Sequence, residues 1–289
     1  MTITLVFSKN ELLELENKLK HCEKRNTPNY ALYAYKIEDC IVTAYQSGKL
    51  LIQGNHADEI AALLQNNKPT NTNSHKISAH CGSDEVGTGD YFGGVCVCAC
   101  YVSEDDLVFL KPYQIMDSKQ IKDDKICELA PILMQRLTYS LLIVDNEKYN
   151  QVQANNNMVA IKAKLHNQAY VHLKNKLGFL SELCVVDQFV KKESYYRYLA
   201  CEKQVIEHLH FETKAENKYL AVACASIIAR YAFLKQLEAL DKQYDFHFEK
   251  GAGSNVDACI KAFIEKYDAS LLYKVAKYHF KNTQKVLNN

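Results

Sequence analysis

No two of the 11 cysteines in this sequence stand three residues apart. Without a Cys-x-x-Cys pair the usual signature of a structural zinc site is missing. The odd cysteine count argues against a secreted disulfide framework, and so does the opening Met1–Lys9, which is too short for a secretory apolar region and runs at once into charge. Cys96, Cys98 and Cys100 alternate inside an apolar run, which is the spacing of small core residues on one strand face. No run reads as the ~20 apolar residues that a membrane span needs. Net charge is all but absent: 35 Lys and Arg against 34 Asp and Glu leave +1. Any nucleic-acid partner must therefore be held by local patches. No internal repeat is visible. These absences lead us to expect a soluble, cytoplasmic protein, with a monomer as the simplest state.

What is present is ample core material, 48% hydrophobic residues over 289 positions, enough for about two domains. Met1–Phe7 alternates like a strand. Ser8 with Glu11 reads as a capping box opening a helix that carries Leu12, Leu15 and Leu19 to about Cys22. Tyr30–Lys36, Cys40–Tyr45 and Lys49–Gln53 read as strands joined by tight turns, and Ala57–Leu64 as a short helix. Tyr30, Tyr33, Tyr35, Lys36, Tyr45, Lys49 and Gln53 recur along these strands. They either form a face that lies on a nucleic-acid backbone or pack, as far as the tyrosines go, against the helices. A polar, proline-containing stretch then predicts a linker at 66–75, dividing a domain at 1–65 from one at 76–289.

The second domain is organised around Gly82-Ser83-Asp84-Glu85-Val86-Gly87-Thr88-Gly89-Asp90-Tyr91-Phe92-Gly93-Gly94. We expect a strand over Lys76–Cys81 before it and an apolar, doubly buried strand over Val95–Val102 after it. Two acids and several glycines in one turn can place hard-cation ligands and bare amides in a small volume. A charged hairpin tip is the plain alternative. Further on, the pattern predicts helices over Asp123–Leu133 and Met158–Leu177, the latter stopped by Gly178. Strands are expected at Thr138–Val144, Leu183–Val186 and Gln204–His208, with an irregular stretch at Tyr195–Ala200. Helices follow at Leu220–Leu240, Val256–Tyr267 and Leu271–Leu287. Strands interleaved with helices imply an α/β sheet with some parallel pairing.

Asp187 stands at a strand's carboxyl end, where ligands gather in open α/β sheets, although an aspartate there can also cap a turn. Glu216 precedes the alanine-rich helix, a position that the helix dipole favours in any case. Together Asp84, Glu85, Asp187 and Glu216 could serve two divalent ions ~4 Å apart on a phosphate ester. Adjacent strand residues point to opposite faces, so Asp84 and Glu85 can share one site only if the strand twists, bulges or stops there. Ser118 and Lys119 could touch a phosphate. Lys274, Lys277, Lys281 and Lys285 would lie on one face of the last helix, as a phosphate-binding stripe or a solvated surface.

The motif from Gly82 to Gly93 closely resembles the opening motif of bacterial ribonuclease HIII. Asp117-Ser118-Lys119, Lys214-Ala215-Glu216 with Ala221–Arg230, and Ala276–Thr283 match in order, and Ala163–Ala169 is similar to the family's long helix. Thr43–Lys49 with Gln53-Gly54 resembles the TATA-binding-protein-like domain that precedes the nuclease. Two departures are Gly94, where the family usually has proline, and Tyr278, where it usually has leucine. The resemblance implies an RNase H-like mixed sheet flanked by helices, behind a small α+β TATA-binding-protein-like domain. It implies Mg²⁺- or Mn²⁺-dependent hydrolysis of RNA in RNA–DNA hybrids, leaving 3′-hydroxyl and 5′-phosphate ends. The metal-binding acids then fall on Asp84, Glu85, Asp187 and Glu216. Gly87, Thr88 and Gly89 would read the 2′-hydroxyl, and Ser118, Lys119, Lys277 and Lys281 would hold phosphates. Thr88 and Glu216 favour type III over type II enzymes. The alternatives are a type II-like ribonuclease cutting at single ribonucleotides in DNA and a non-catalytic hybrid-binding protein.

Overall fold

Two units divide the chain, Met1–Lys76 and Ile77–Asn289. The computed structural model describes residues 2–66, 78–115 and 121–288. Most of the expected linker 66–75 lies outside the described residues, and so do Ser118 and Lys119.

In the first unit β1 (Thr2–Val6) leads to α1 (Lys9–Leu19), followed by β2 (Glu23–Lys24), β3 (Ala31–Ile37), β4 (Cys40–Tyr45), β5 (Lys49–Gln53) and α2 (Ala57–Asn66). The strands form an antiparallel sheet in the order β1-β5-β4-β3-β2. The Ser8 hydroxyl accepts from the Glu11 amide while the Glu11 carboxylate accepts from the Ser8 amide, closing the capping box. Leu12, Leu15 and Leu19 of α1 and Ile60 and Leu64 of α2 share a core with Val42, Leu50 and Ile52. Tyr33 and Tyr35 belong to that core, and the Tyr33 hydroxyl donates to the Leu12 carbonyl at 2.8 Å. These two tyrosines therefore do not face a ligand. By the strand period, Lys36, Tyr45, Lys49 and Gln53 fall on the opposite face, where the two lysines and the glutamine are exposed.

In the second unit β6 (His80–Val86) and β7 (Val95–Val102) precede α3 (Glu104–Leu110), α4 (Asp123–Arg136), β8 (Thr138–Val144), α5 (Asn146–Gln153) and α6 (Met158–Leu177). Next come β9 (Cys184–Asp187), α7 (Lys192–Tyr198), β10 (His210–Glu212) and α8 (Leu220–Tyr244), then α9 (Ser254–Lys266), α10 (Leu272–Val275) and α11 (Lys281–Leu287). The sheet order is β10-β9-β6-β7-β8. β6, β7 and β8 pair antiparallel, whereas β9 runs parallel to both β6 and β10. Cys96, Cys98 and Cys100 turn to one layer with α4 and α8, while Val95, Val97 and Ala99 turn to the other with α6. The result is the expected mixed α/β architecture, a sheet covered by helices, preceded in the sequence by a small α+β unit.

Five expectations need correction. The first strand is His80–Val86, so Asp84 and Glu85 lie inside it and not in the turn. Residues 204–208 are not a strand, because the buried Asn167 side chain pairs with the Gln204 carbonyl and the Ile206 amide as a sheet neighbour would. The strand is instead His210–Glu212, and part of the stretch expected to be irregular is the helix α7. The last helix is broken between α10 and α11: Asn150 binds the Tyr273 and Ala276 carbonyls and the Tyr278 amide, and Ala276 bridges to Phe92. Finally, α8 is long and apolar enough to cross a membrane, by length and composition. Its apolar residues, from Ala221 to Leu237, are largely buried in the core.

Candidate active site

β6 lies so close to α8 that a Cβ on Gly82 would stand 2.3 Å from the Val222 amide nitrogen. Two residues on, Asp84 shares that face, and Ser226 of α8 hydrogen-bonds its carboxylate. Parallel pairing sets Ser83 opposite Val186, which puts Asp84 beside Asp187 at the carboxyl end of β9. Asp84 is buried. Burial first, then the charges of Glu85 and Asp187, push its carboxyl well above the usual range, against the hydrogen bonds from Ser226 and the Glu85 amide.

Asp187 also builds the next wall. Its Oδ1 accepts from the Ala215 amide at 2.9 Å, which fixes the short 3-10 turn Ala215–Asn217. Lys214 enters that turn in the left-handed region, φ 54°. The turn delivers Glu216, fully buried, next to the start of α8.

Glu85 points the other way, toward α6. Its Oε2 accepts from His166 Nε2 at 2.8 Å, and its Oε1 pairs with Lys162. His166 Nδ1 lies 2.8 Å from the Ser83 hydroxyl. Burial alone would raise the Glu85 pKa, but His166 and Lys162 outweigh it and hold the carboxylate below its ordinary value. Among the described residues no three acidic, imidazole or thiol groups already surround one point. Asp84 and Glu85 leave β6 on opposite faces, Asp187 ends β9 and Glu216 lies in the 3-10 turn, and the acids do not form a closed cage. A donor set made only of carboxylates suits a hard cation that keeps several waters. A cation there would relieve the like charges crowded around buried Asp84.

After Val86 the glycine loop turns back. Gly87 has φ 95°, and a Cβ on it would stand 2.4 Å from the Gly94 carbonyl oxygen, so this position requires glycine. Thr88 is half-buried, and Gly89 is exposed with open space around it. The loop is anchored beyond them. Asp90 accepts from the Gly251 amide at 2.7 Å, and Asn146 donates to the Gly93 carbonyl at 2.8 Å. The Gly94 amide donates to Gln236 at 3.1 Å, a bond that a proline in that place could not make.

The lysines divide. Lys281 is exposed at the start of α11. Lys277 is fully buried, and its ammonium donates to the Asp90 and Gly93 carbonyls at 2.8 and 2.5 Å. It clamps the glycine loop and is not available to a substrate phosphate. Lys285 pairs with Asp257. Sequence reasoning passed over Lys162, His166 and Ser226 as site residues. The signal for the first two was a cation and an imidazole one helical turn apart on the face of α6 that also carries the buried Ala163 and Ala169.

The chain as a whole is similar to proteins already known. The profile of the ribonuclease HII family matches residues 81–283, and that of a domain of unknown function (DUF3378) matches residues 2–77. The chain is 37% identical to ribonuclease HIII of Bacillus cereus over 99% of both chains. It is 39% identical to ribonuclease HIII of Streptococcus gordonii, covering 98% of this chain and 96% of the relative. Among solved structures it resembles Bst-RNase HIII in complex with Mn²⁺, with a TM-score of 0.74 and 34% identity, covering 100% of this chain and 98% of the other.

Proposed function

Because the chain belongs to the ribonuclease HIII family, metal-dependent endoribonucleases that act on RNA–DNA hybrids, we propose that it cuts the RNA strand by a two-metal mechanism, leaving 3′-hydroxyl and 5′-phosphate ends. The observation that carries this reading is Asp84, buried and crowded by the charges of Glu85 and Asp187. Asp84, Asp187 and Glu216 would hold one Mg²⁺ or Mn²⁺ ion, and Asp84 with Glu85 the other. Bound there, such ions supply an acidified water and offset charge on the leaving oxygen.

The chain's own groups do the rest. Ser226 and the Glu85 amide orient the Asp84 carboxylate, and the Ala215 amide orients Asp187. Gly87, Thr88 and Gly89 present backbone and hydroxyl groups to the 2′-hydroxyl that distinguishes RNA from DNA. Lys281 contacts the phosphate backbone, and the first unit adds affinity for the hybrid.

The test is cleavage of an end-labelled RNA–DNA hybrid, a single-ribonucleotide duplex and an all-DNA duplex, each with Mg²⁺, Mn²⁺ or chelator. Metal-dependent cutting at many sites in the hybrid supports the reading; preference for the single ribonucleotide moves it to a type II-like activity. Asp84→Asn should reduce cleavage to background and leave hybrid binding within a few-fold of wild type. Near-normal turnover of that variant would falsify the metal assignment.

A further inference from the structure

Glu85 is already matched to a cation that belongs to the protein. Both of its oxygens are taken, Oε1 by the Lys162 ammonium and Oε2 by His166. Both partners come from α6, and all three side chains are largely or wholly buried. We propose that Lys162 is a resident cation that occupies the charge position at Glu85 and is displaced when a divalent ion binds there, while His166 keeps the carboxylate aimed. The inference rests on the proposed function, since it assigns the exchange to the same metal site.

The two α6 side chains differ in how free they are to move. A carboxylate can only accept, so His166 Nε2 carries the proton that it shares with Glu85. Nδ1 makes the ring's other hydrogen bond, with the hydroxyl of Ser83, which stands two residues before Glu85 on the same strand face. The His166 ring has no solvent exposure and stacks on Phe189 with 5.3 Å between centroids. Held at both nitrogens and on its face, the imidazole has one position, and Glu85 inherits it. Ligand-orienting partners of this kind tune metal sites throughout proteins.

Lys162 reaches Glu85 with a single ammonium at the end of a flexible four-carbon stem. Its ammonium lies 4.1 Å from the Phe189 ring centroid. That ring face already holds the cation and can keep it close when it leaves the carboxylate. Lys162 and a divalent ion cannot both sit against Oε1, because like charges at that distance repel strongly where water is scarce. Ion binding at Glu85 must therefore work against an ion pair already made. Without such a pair, the charge of Glu85 would act unopposed on its neighbour Asp84 before any ion arrived.

Mn²⁺ titration of the full, substrate-free chain, followed by the spin-resonance signal of free Mn²⁺, tests the exchange without reference to activity. Lys162→Met and Lys162→Gln should bind Mn²⁺ several-fold more tightly than wild type, and Lys162→Arg should restore wild-type affinity. His166→Asn should bind ~10-fold more weakly. In a Glu85→Gln background the Lys162 substitutions should have no effect, which separates displacement at Glu85 from a general change in field. Neutral Lys162 variants that fold, by thermal melting, yet bind Mn²⁺ as wild type or more weakly would overturn the proposal; so would a tightening that persists without Glu85. Asp84→Asn separates the two levels. If it binds Mn²⁺ as wild type, the metal reading itself fails. If it loses binding while Lys162→Met is unchanged, only the exchange fails.

Discussion

Lys277 shows how far a residue's role can depart from its spacing. As one of four lysines at intervals of three and four it promised a cationic helix face. Instead its amide donates to the Tyr91 carbonyl and its ammonium to those of Asp90 and Gly93. Tyr149, Cys96 and His279 are its other titratable neighbours. Burial pushes its pKa down to about 7, against the opposing charges of Asp90 and Cys96. In the unfolded chain the same lysine titrates near 10.4. Between those values the unfolded state binds more protons, so this group's contribution makes stability rise with pH. Below about 7 both states are charged and the contribution is flat at its least favourable level; above 10.5 it vanishes. Lys277→Met lacks the slope. Wild type should therefore gain stability relative to Lys277→Met between pH 7 and 10.5, by at most ~5 kcal/mol. Urea unfolding of both proteins at three pH values across that window measures the gain. A constant difference would mean that Lys277 keeps its proton in the fold. The same variant loosens the glycine loop, so its hybrid-to-DNA discrimination should fall more than its affinity for the hybrid.

The pairing of β6 with α8 is where a single methyl would be felt most. Gly82→Ala places a carbon against the Val222 backbone, which cannot rotate out of the way. The strand and helix must part, at a cost of at least ~1–3 kcal/mol. Ser226 is drawn from Asp84 in the process, so activity should fall further than stability does. Gly89→Ala is the contrast: nothing lies within 4 Å of its added carbon, so its melting temperature should stay close to wild type. A comparable loss of stability in both variants, by thermal denaturation, would refute the close-approach account. Elements of this kind also mark what could be read in advance. α6 has the expected bounds because both ends carry local signals, Asn157 accepting from the Ala160 amide and Gly178 turning left-handed. α1 was equally legible from Ser8 and Glu11. The non-strand course of 204–208 and the break before α11 were not, because Asn167 and Asn150 impose them from distant parts of the chain. The candidate site divides in the same way. Its acids stand out as carboxylates at strand ends, but Asp84 beside Asp187 is a matter of parallel register. The grip of Lys162 and His166 on Glu85 exists only once α6 lies across β6.

Each unit has a hydrophobic core of its own, and the charges that could meet a polyanion are correspondingly local. With a net charge of +1 no overall field draws nucleic acid in. The first unit keeps Lys36, Lys49 and Gln53 exposed, with Tyr45 half-buried, on the sheet face away from its helices. None of the four acids proposed as metal ligands lies in that unit. If its role is to hold the hybrid, removing its cations should change binding and leave chemistry alone. Lys36→Ala with Lys49→Ala should raise KM and leave kcat within about two-fold, because a lysine–phosphate pair that takes no part in the chemistry is equally strong in the ground and transition states. The salt dependence gives the sharper reading. Every lysine–phosphate pair that is removed should reduce the slope of log affinity against log salt by about 1. Hybrid binding measured from low to moderate salt should therefore flatten by about 2 in the double variant. An unchanged slope would show that these lysines touch no phosphate. A lower kcat at saturating hybrid would show instead that the first unit places the substrate for the chemical step and does not merely retain it.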